Sequence, residues 1–346
     1  MKRFKLAIVG CGDIARYVAL GCLINRKITA VACMDSDETK ARAFGRRFWI
    51  GQVFDDYDRM LESAGADAVY LAVPHHLHRA MIEKAVARGL PVLCEKPIAT
   101  TLDDGMAICR LARESGIKIG INYQYRYDTG CYRLFRAAQT GALGRPLYGR
   151  CNIPWHREQD YFSGAPWHAG KDASGGGTLI TQASHIIDIA ILALDGEPVT
   201  ARGDIARRVF SDVEVEDLGM GIVGLSNGAL LSISSSMIAV PERPATIEVY
   251  GSAGTGIYTG SALSSVRFLG TKVKRHTVPV GGLHALFRSV EGFRRWVQHN
   301  DDYLIPAASS LRVLAVVEAL YRSAASGRRE VVDDRYRGFI DPRDGR

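Results

Sequence analysis

The chain has 346 residues, longer than a single hydrophobic core usually grows, so two domains are expected. Hydrophobic residues make up 47% and charged residues 23%, an ordinary globular composition, and no apolar run approaches the ~18 residues of a membrane span. The formal charge of +7 comes from scattered arginines with no interleaved aromatic motif, which argues against nucleic acid as a partner and leaves a mild bias toward anionic ligands.

The amino terminus passes within a few residues into Leu6-Ala7-Ile8-Val9-Gly10, which reads as a first strand and not as a signal peptide. The seven cysteines, at 11, 22, 33, 94, 109, 131 and 151, are odd in number and never form a C-x-x-C pair. That pattern disfavours a disulfide framework and a structural zinc site and suits a reducing cytoplasm.

Through the first 120 or so residues, short apolar runs alternate with amphipathic stretches, as buried parallel strands and their crossover helices do. Strands are expected at Lys5–Val9, Ile28–Met34, Ala68–Val73, Pro91–Cys94 and Lys118–Ile121. Helices are expected at Asp13–Leu23, Thr39–Phe48, Leu77–Arg88 and Leu102–Glu114, with Gly89 and Gly116 as carboxyl-terminal caps. This is the α/β pattern of a doubly wound Rossmann sheet, assigned to residues 1–122.

From about Pro198 to Thr277, runs rich in Val, Ile and Ser alternate apolar with polar, the mark of half-buried antiparallel strands. The clearest hairpin is Met220–Leu225, a turn at Asn227-Gly228, then Ala229–Met237. Residues 123–346 are therefore read as an α+β domain with a large, open, mainly antiparallel sheet and helices on one face. Further helices are expected at Leu283–Gln298 and Ser309–Ala325, with a peripheral tail from Asp333 to Arg346.

Gly10-Cys11-Gly12-Asp13-Ile14-Ala15 follows an apolar strand and opens a helix, the context in which G-x-G-x-x-A signals a dinucleotide. Gly10 permits the turn, Gly12 admits a pyrophosphate, and Ala15 lets helix pack on strand. The amide groups at the start of the helix, including those of Asp13 and Ile14, would face the phosphates. Asp35 ends the next strand, 23 positions after Gly12, where a carboxylate can bind ribose hydroxyls and repel a 2′-phosphate, favouring NAD over NADP. The competing reading makes Asp35 a mere helix cap.

Glu95-Lys96-Pro97 stands at the carboxyl end of the Pro91–Cys94 strand, the edge that faces the ligand crevice. The competing reading is a solvated turn where proline stops the strand. Gly175-Gly176-Gly177 runs into a helix pattern from Thr178 to Ala190, on which Thr178, Thr181, Ser184, His185 and Asp188 share an arc of about 120°. His185 has a pKa suited to exchanging a hydroxyl proton, with Asp188 available as an orienting partner, although a histidine among aliphatics also serves as a satisfied core residue. Tyr123, Arg126, His156, Tyr161 and Trp167 are candidate sugar contacts by residue type and position; packing or surface charge is the alternative. His75, His76 and His78 share no single helix or strand face, so no metal is expected.

These motifs together resemble the Gfo/Idh/MocA oxidoreductases, the family of glucose-fructose oxidoreductase and the inositol dehydrogenases. The resemblance spans nearly the whole chain and rests on Gly10-Cys11-Gly12, Val73-Pro74-His75-His76-Leu77-His78, Val92-Leu93-Cys94-Glu95-Lys96-Pro97, Gly175-Gly176-Gly177 and His185-Ile186-Ile187-Asp188. It implies a cofactor site including Val73, His75, His78 and Glu95, a catalytic Lys96, a proton-transferring His185, and a sheet used for homo-oligomerisation as a dimer or tetramer. The pattern departs at Thr181, where many relatives carry an aspartate that pairs with the histidine. It also departs at Val73, often Ser or Thr, and at His75, often Asn beside the nicotinamide. The activity implied is NAD-dependent oxidation of a secondary hydroxyl of a sugar, cyclitol or related polyol, or the reverse. The alternatives are an NAD-retaining glycosidase and a non-catalytic sugar or dinucleotide sensor.

Overall fold

A computed structural model of the chain describes residues 3–260 and 264–340. Six parallel strands, β1 (Phe4–Val9), β2 (Ile28–Met34), β3 (Gln52–Phe54), β4 (Ala68–Leu71), β5 (Val92–Cys94) and β6 (Ile119–Ile121), lie in the order β3-β2-β1-β4-β5-β6. The helices between them are α1 (Asp13–Ile24), α2 (Glu38–Phe48), α3 (Tyr57–Ser63), α4 (His78–Ala87) and α5 (Leu102–Ser115). Order reverses at β1 and β4, the place where an open α/β sheet leaves its ligand crevice. This parallel sheet and its helices contain one strand and one helix more than the periodicity suggests, because β3 and α3 are too short to show a period. Local chemistry sets the helix limits: Thr101 accepts the Asp104 N–H at the start of α5, and Gly116, at φ +69°, closes it in the left-handed region.

The second half opens with α6 (Thr129–Gln139) and β7 (Pro146–Pro154), then short helices α7 (Asp160–Ser163), α8 (Lys171–Ser174) and α9 (Thr178–Thr181), then α10 (Ser184–Leu194). Strands β8 (Pro198–Ala206), β9 (Leu218–Leu225), β10 (Leu230–Ser236), β11 (Ala245–Gly251), β12 (Thr255–Gly260) and β13 (Ser265–Leu269) follow, then α11 (Ala285–His299), α12 (Leu311–Ser326) and β14 (Glu330–Val331). They form an eight-stranded sheet, β13-β12-β11-β7-β10-β9-β8-β14, antiparallel throughout except for the β7–β10 pair. Helices α6, α10 and α12 cover one face. The other face carries exposed Tyr148, Met220, Ile222 and Leu230. The Asn227-Gly228 hairpin forms with Leu230 opposite Gly224 and Gly228 at φ +84°.

Two expectations are corrected. The Thr178–Ala190 pattern is not one helix: it breaks at Gln182-Ala183, and the segments on either side bend by 51°. The Glu216 carboxylate holds the start of α9, accepting the Gly177 and Leu179 N–H groups at 2.8 and 3.0 Å. The tail is also not peripheral as far as Ile340, since Tyr336 is fully buried and its hydroxyl donates to Glu197 at 2.9 Å. Residues 341–346 of that tail lie outside the described residues.

Arg126, in the turn Gln124–Tyr127 after β6, ties the halves together. Its guanidinium meets Asp188 of α10 with two bonds of 2.7 and 2.6 Å, both side chains nearly inaccessible to water. The remaining donors reach the Leu304 carbonyl at 2.7 Å and the Ser309 hydroxyl and carbonyl at 3.0 Å each. All five N–H groups are thus used, the condition under which a buried ion pair can be tolerated. Arg126→Met should therefore cost about 3–5 kcal/mol in chemical denaturation by stranding Asp188, and adding Asp188→Leu should recover a large part of the loss. A single variant as stable as the parent would refute the joint.

Candidate active site

A cleft of about 970 Å³ runs from the β1–α1 turn to the 157–185 segment. At one end, Gly10 sits at φ +83°, where an added Cβ would lie 2.1 Å from the Ala72 carbonyl oxygen, so only glycine fits. An added Cβ on Gly12 would meet nothing within 4 Å, which leaves the backbone open toward the cleft. Gly12 stands at the N-cap of α1 and no side chain caps it, so the first amides of α1, at Asp13 and Ile14, keep their hydrogen-bonding capacity. Asp35 lines the same end, accepting the Cys11 and Asp37 N–H groups at 2.9 and 3.0 Å. Asp37, not Asp35, caps α2, by accepting from the Thr39 and Lys40 amides at 2.9 and 3.2 Å. An unblocked helix terminus, a glycine opening and a carboxylate lining the same end of the cleft fit NAD.

At the centre, Val73, His75, Glu95 and Lys96 line the wall. Glu95 is buried, its Oε1 accepting from the Tyr70 hydroxyl and, at 2.6 Å, from Asn122 Nδ2; burial pushes its carboxyl pKa up. Lys96 Nζ donates to the Thr181 carbonyl at 2.5 Å. Thr181 is the last residue of α9, so the helix break leaves this carbonyl to Lys96. Burial outweighs the opposing charge of Glu95 and, with a smaller push from Arg157, leaves the Lys96 pKa at about 8. The Thr181 hydroxyl turns back to the Gly177 carbonyl at 2.7 Å and brings no charge to the site.

His185 lines the cleft one short step along α10, with Tyr125 and Tyr123 rings 4.9 and 5.5 Å away. Its Nδ1 is buried without a hydrogen-bond partner. Burial first, then the Lys96 charge, holds the imidazole well below its ordinary pKa, and hence neutral. Asp188 does not orient it, because Arg126 occupies both carboxylate oxygens.

The far wall is a relay of rings and amides. Trp167 stacks on His168 at 3.7 Å and meets His75 at 4.6 Å. The Tyr161 hydroxyl lies 3.0 Å from His168 Nδ1 and accepts from Gln182 at 3.0 Å, and Arg157 donates to Gln182 at 2.8 Å. Gln124, Arg157, His168 and Gln182 line the cleft but carry no periodic or motif signal.

Several residues singled out in the sequence stand off the cleft wall. Tyr123 is buried behind His185, and Arg126 is in its ion pair. His156 pairs through its backbone with Ile238 and Glu242. His78 is fully buried, its ring nitrogens 2.8 and 3.0 Å from the Pro97 and Val73 carbonyls, so it ties together the two loops that carry His75 and Lys96. His75 and His76 contact the Ser174 and Ala173 carbonyls instead, and among the described residues no group of three metal-ligating side chains converges.

A dinucleotide-binding parallel sheet joined across a cleft to a helix-backed open sheet defines a two-domain NAD-dependent oxidoreductase. The description "Oxidoreductase family, NAD-binding Rossmann fold" matches residues 4–123, and "GFO/IDH/MocA C-terminal domain" matches residues 133–256. The chain belongs to the Gfo/Idh/MocA oxidoreductase family. It is 28% identical to D-apiose dehydrogenase of Paraburkholderia graminis over 95% of this chain and 89% of that protein. It is 25% identical to D-glucoside 3-dehydrogenase of Escherichia coli, covering 94% and 96%. The WlbA dehydrogenase of Bordetella pertussis, solved with NADH and UDP-GlcNAcA, has the same fold at a TM-score of 0.85, with 24% identity over 96% of this chain and 99% of that one.

Lys40 and Arg47 border the Asp35 end of the cleft. Asp35→Ser removes the carboxylate from this end and leaves these two cations, so kcat/KM with NADP should rise at least about tenfold while that with NAD falls. An unchanged cofactor ratio would show that Asp35 does not select the ribose.

Proposed function

We propose that the protein oxidises a secondary hydroxyl of a sugar, cyclitol or related polyol with NAD, or runs the reverse reduction. The observation that carries this reading is the meeting of the Lys96 and His185 side chains on one stretch of the cleft, between the dinucleotide end and the Tyr161–Trp167 wall. Sugar-dehydrogenase relatives support the substrate class.

Bound NAD supplies the hydride acceptor; the chain supplies orientation and the proton path. The substrate hydroxyl lies between Lys96 Nζ and the His185 ring. Lys96, with a pKa near 8, is the group able both to accept a proton and to release it near neutral pH. His185 stays neutral and orients the hydroxyl. The division follows from residue 181: an aspartate there would raise the imidazole pKa, whereas Thr181 spends its hydroxyl on Gly177 and offers Lys96 only a carbonyl. Tyr161 and Trp167 present ring faces to the carbon skeleton and Gln182 an amide to its hydroxyls.

Screening inositols, aldoses, uronates and anhydrosugars for NADH formation tests the reaction; silence across the panel with NAD bound would remove it. Lys96→Met should lower kcat by about 10³-fold or more with NAD affinity retained, and His185→Gln by about 10–100-fold. Oxidation needs the neutral amine, so kcat/KM should climb as pH rises through about 8 and level off above it. A profile in His185→Gln that keeps this inflection supports the assignment to Lys96, and loss of the inflection assigns it to the histidine.

The exposed sheet face, with Met220, Ile222 and Leu230 each more than half exposed, is proposed as the contact between copies of a cytoplasmic homo-oligomer. A monomer mass in light scattering at micromolar concentration would rule that contact out.

A further inference from the structure

The stretch 270–284, between β13 and α11, forms neither strand nor helix. Ordered loops of that length usually serve a site. This one lies beside the start of α6 and borders an open pocket of about 510 Å³. Three guanidinium groups from three parts of the chain border it: Arg133 of α6, Arg275 of the loop and Arg288 of α11, joined by Thr129 and His276. No carboxylate lines the pocket, and none of the three arginines has an ion pair among the described residues.

Arg288 and Arg133 meet only neutral groups, Arg133 lying over the Phe268 ring at 5.9 Å. Arg288 donates to the Gly282 and Tyr127 carbonyls at 2.8 and 3.1 Å and to the Thr129 hydroxyl at 2.8 Å, all neutral acceptors. Arg133 has a buried Nε with no partner. Asp128, the acid beside Thr129 in the chain, turns its oxygens to the Cys131 amide at 2.9 Å and the Ser264 hydroxyl at 2.7 Å and lines the adjoining cavity, not this pocket. His276 feels the same field: burial, then Arg136, Lys274 and Arg133, press its pKa down. Three like charges around one pocket raise its potential and favour an anion there.

We propose that this pocket binds a phosphate group. A phosphate dianion offsets two of the three guanidinium charges and offers them three terminal oxygens, where a single carboxylate would offset only one. The site is distinct from the one for the cofactor phosphates, which lies at the start of α1. Thr129 and Arg288 also border a neighbouring cavity that reaches the catalytic cleft at Gln124 and Arg157, so a phosphate held here need not displace NAD.

The test is calorimetric titration of the NADH-saturated protein with inorganic phosphate and with phenyl phosphate, at low ionic strength. The parent protein should bind at least one of them, and Arg133→Gln/Arg275→Gln should bind it at least about tenfold more weakly with NADH affinity unchanged. Tighter binding of phenyl phosphate identifies an organic phosphate as the ligand; equal or tighter binding of inorganic phosphate identifies the free ion. Arg275→Gln alone, a change in an exposed loop, repeats the comparison if the double variant does not fold. No heat from either probe at millimolar concentration, or equal affinity in parent and variant, overturns the proposal.

Discussion

The bidentate pair between Arg126 and Asp188 is the constraint on which the arrangement of the cleft depends. Arg126 follows the last strand of the parallel sheet by a few residues, while Asp188 lies in α10, which packs on the open sheet. A guanidinium and a carboxylate can be buried only when paired and fully hydrogen-bonded, so the pair specifies one relative placement of these elements. His185 stands one turn before Asp188 on α10, and Gln124 two residues before Arg126. The joint therefore positions two cleft residues while touching no ligand itself.

The second constraint is electrostatic and acts on the histidines. His75, His168 and His185 all feel the charge of Lys96, and in each case burial is the main force keeping the ring neutral, with Lys96 adding to it. Neutral rings can stack on Trp167 and Tyr161 and can exchange hydrogen bonds with hydroxyls without importing further charge. The cluster as a whole concentrates proton affinity at Lys96, whose own burial brings it near neutrality. His78 belongs to the same low-dielectric region: burial takes it to about 4 even though two carbonyls pull the other way, and a neutral ring has one proton to share between them.

The parallel sheet was legible because each of its signals is local. An apolar run, a glycine turn and an amphipathic helix lie within about thirty residues of one another, and Gly10, Gly12 and Asp35 carry their geometry in their spacing. The second sheet was legible as a class, through its alternation and the Asn227-Gly228 turn. Its details were not: β7 pairs in parallel with β10, a contact between strands far apart in the chain that no period encodes. The helix through Thr178–Ala190 failed for a similar reason. Its apolar pattern is continuous, and the carboxylate that holds its start arrives from Glu216, near β9.

That failure bears on the chemistry. Read as one helix, the stripe gathers Thr178, Thr181, Ser184, His185 and Asp188 on a single face, and Asp188 becomes the natural partner of His185. The break separates them: Thr178 bonds Ser235 at 2.6 Å, Asp188 turns to Arg126, and Thr181 and His185 remain on the cleft. What the side-chain pattern hides is a backbone group, the Thr181 carbonyl at the end of α9, which takes the Lys96 ammonium. A carbonyl fixes the lysine without supplying the negative charge that would raise its pKa, and an aspartate side chain at the same position would do the opposite. In the proposed reaction the bend in the chain and the threonine at 181 thus act together, both favouring the lysine over the histidine as the group whose proton moves near neutral pH.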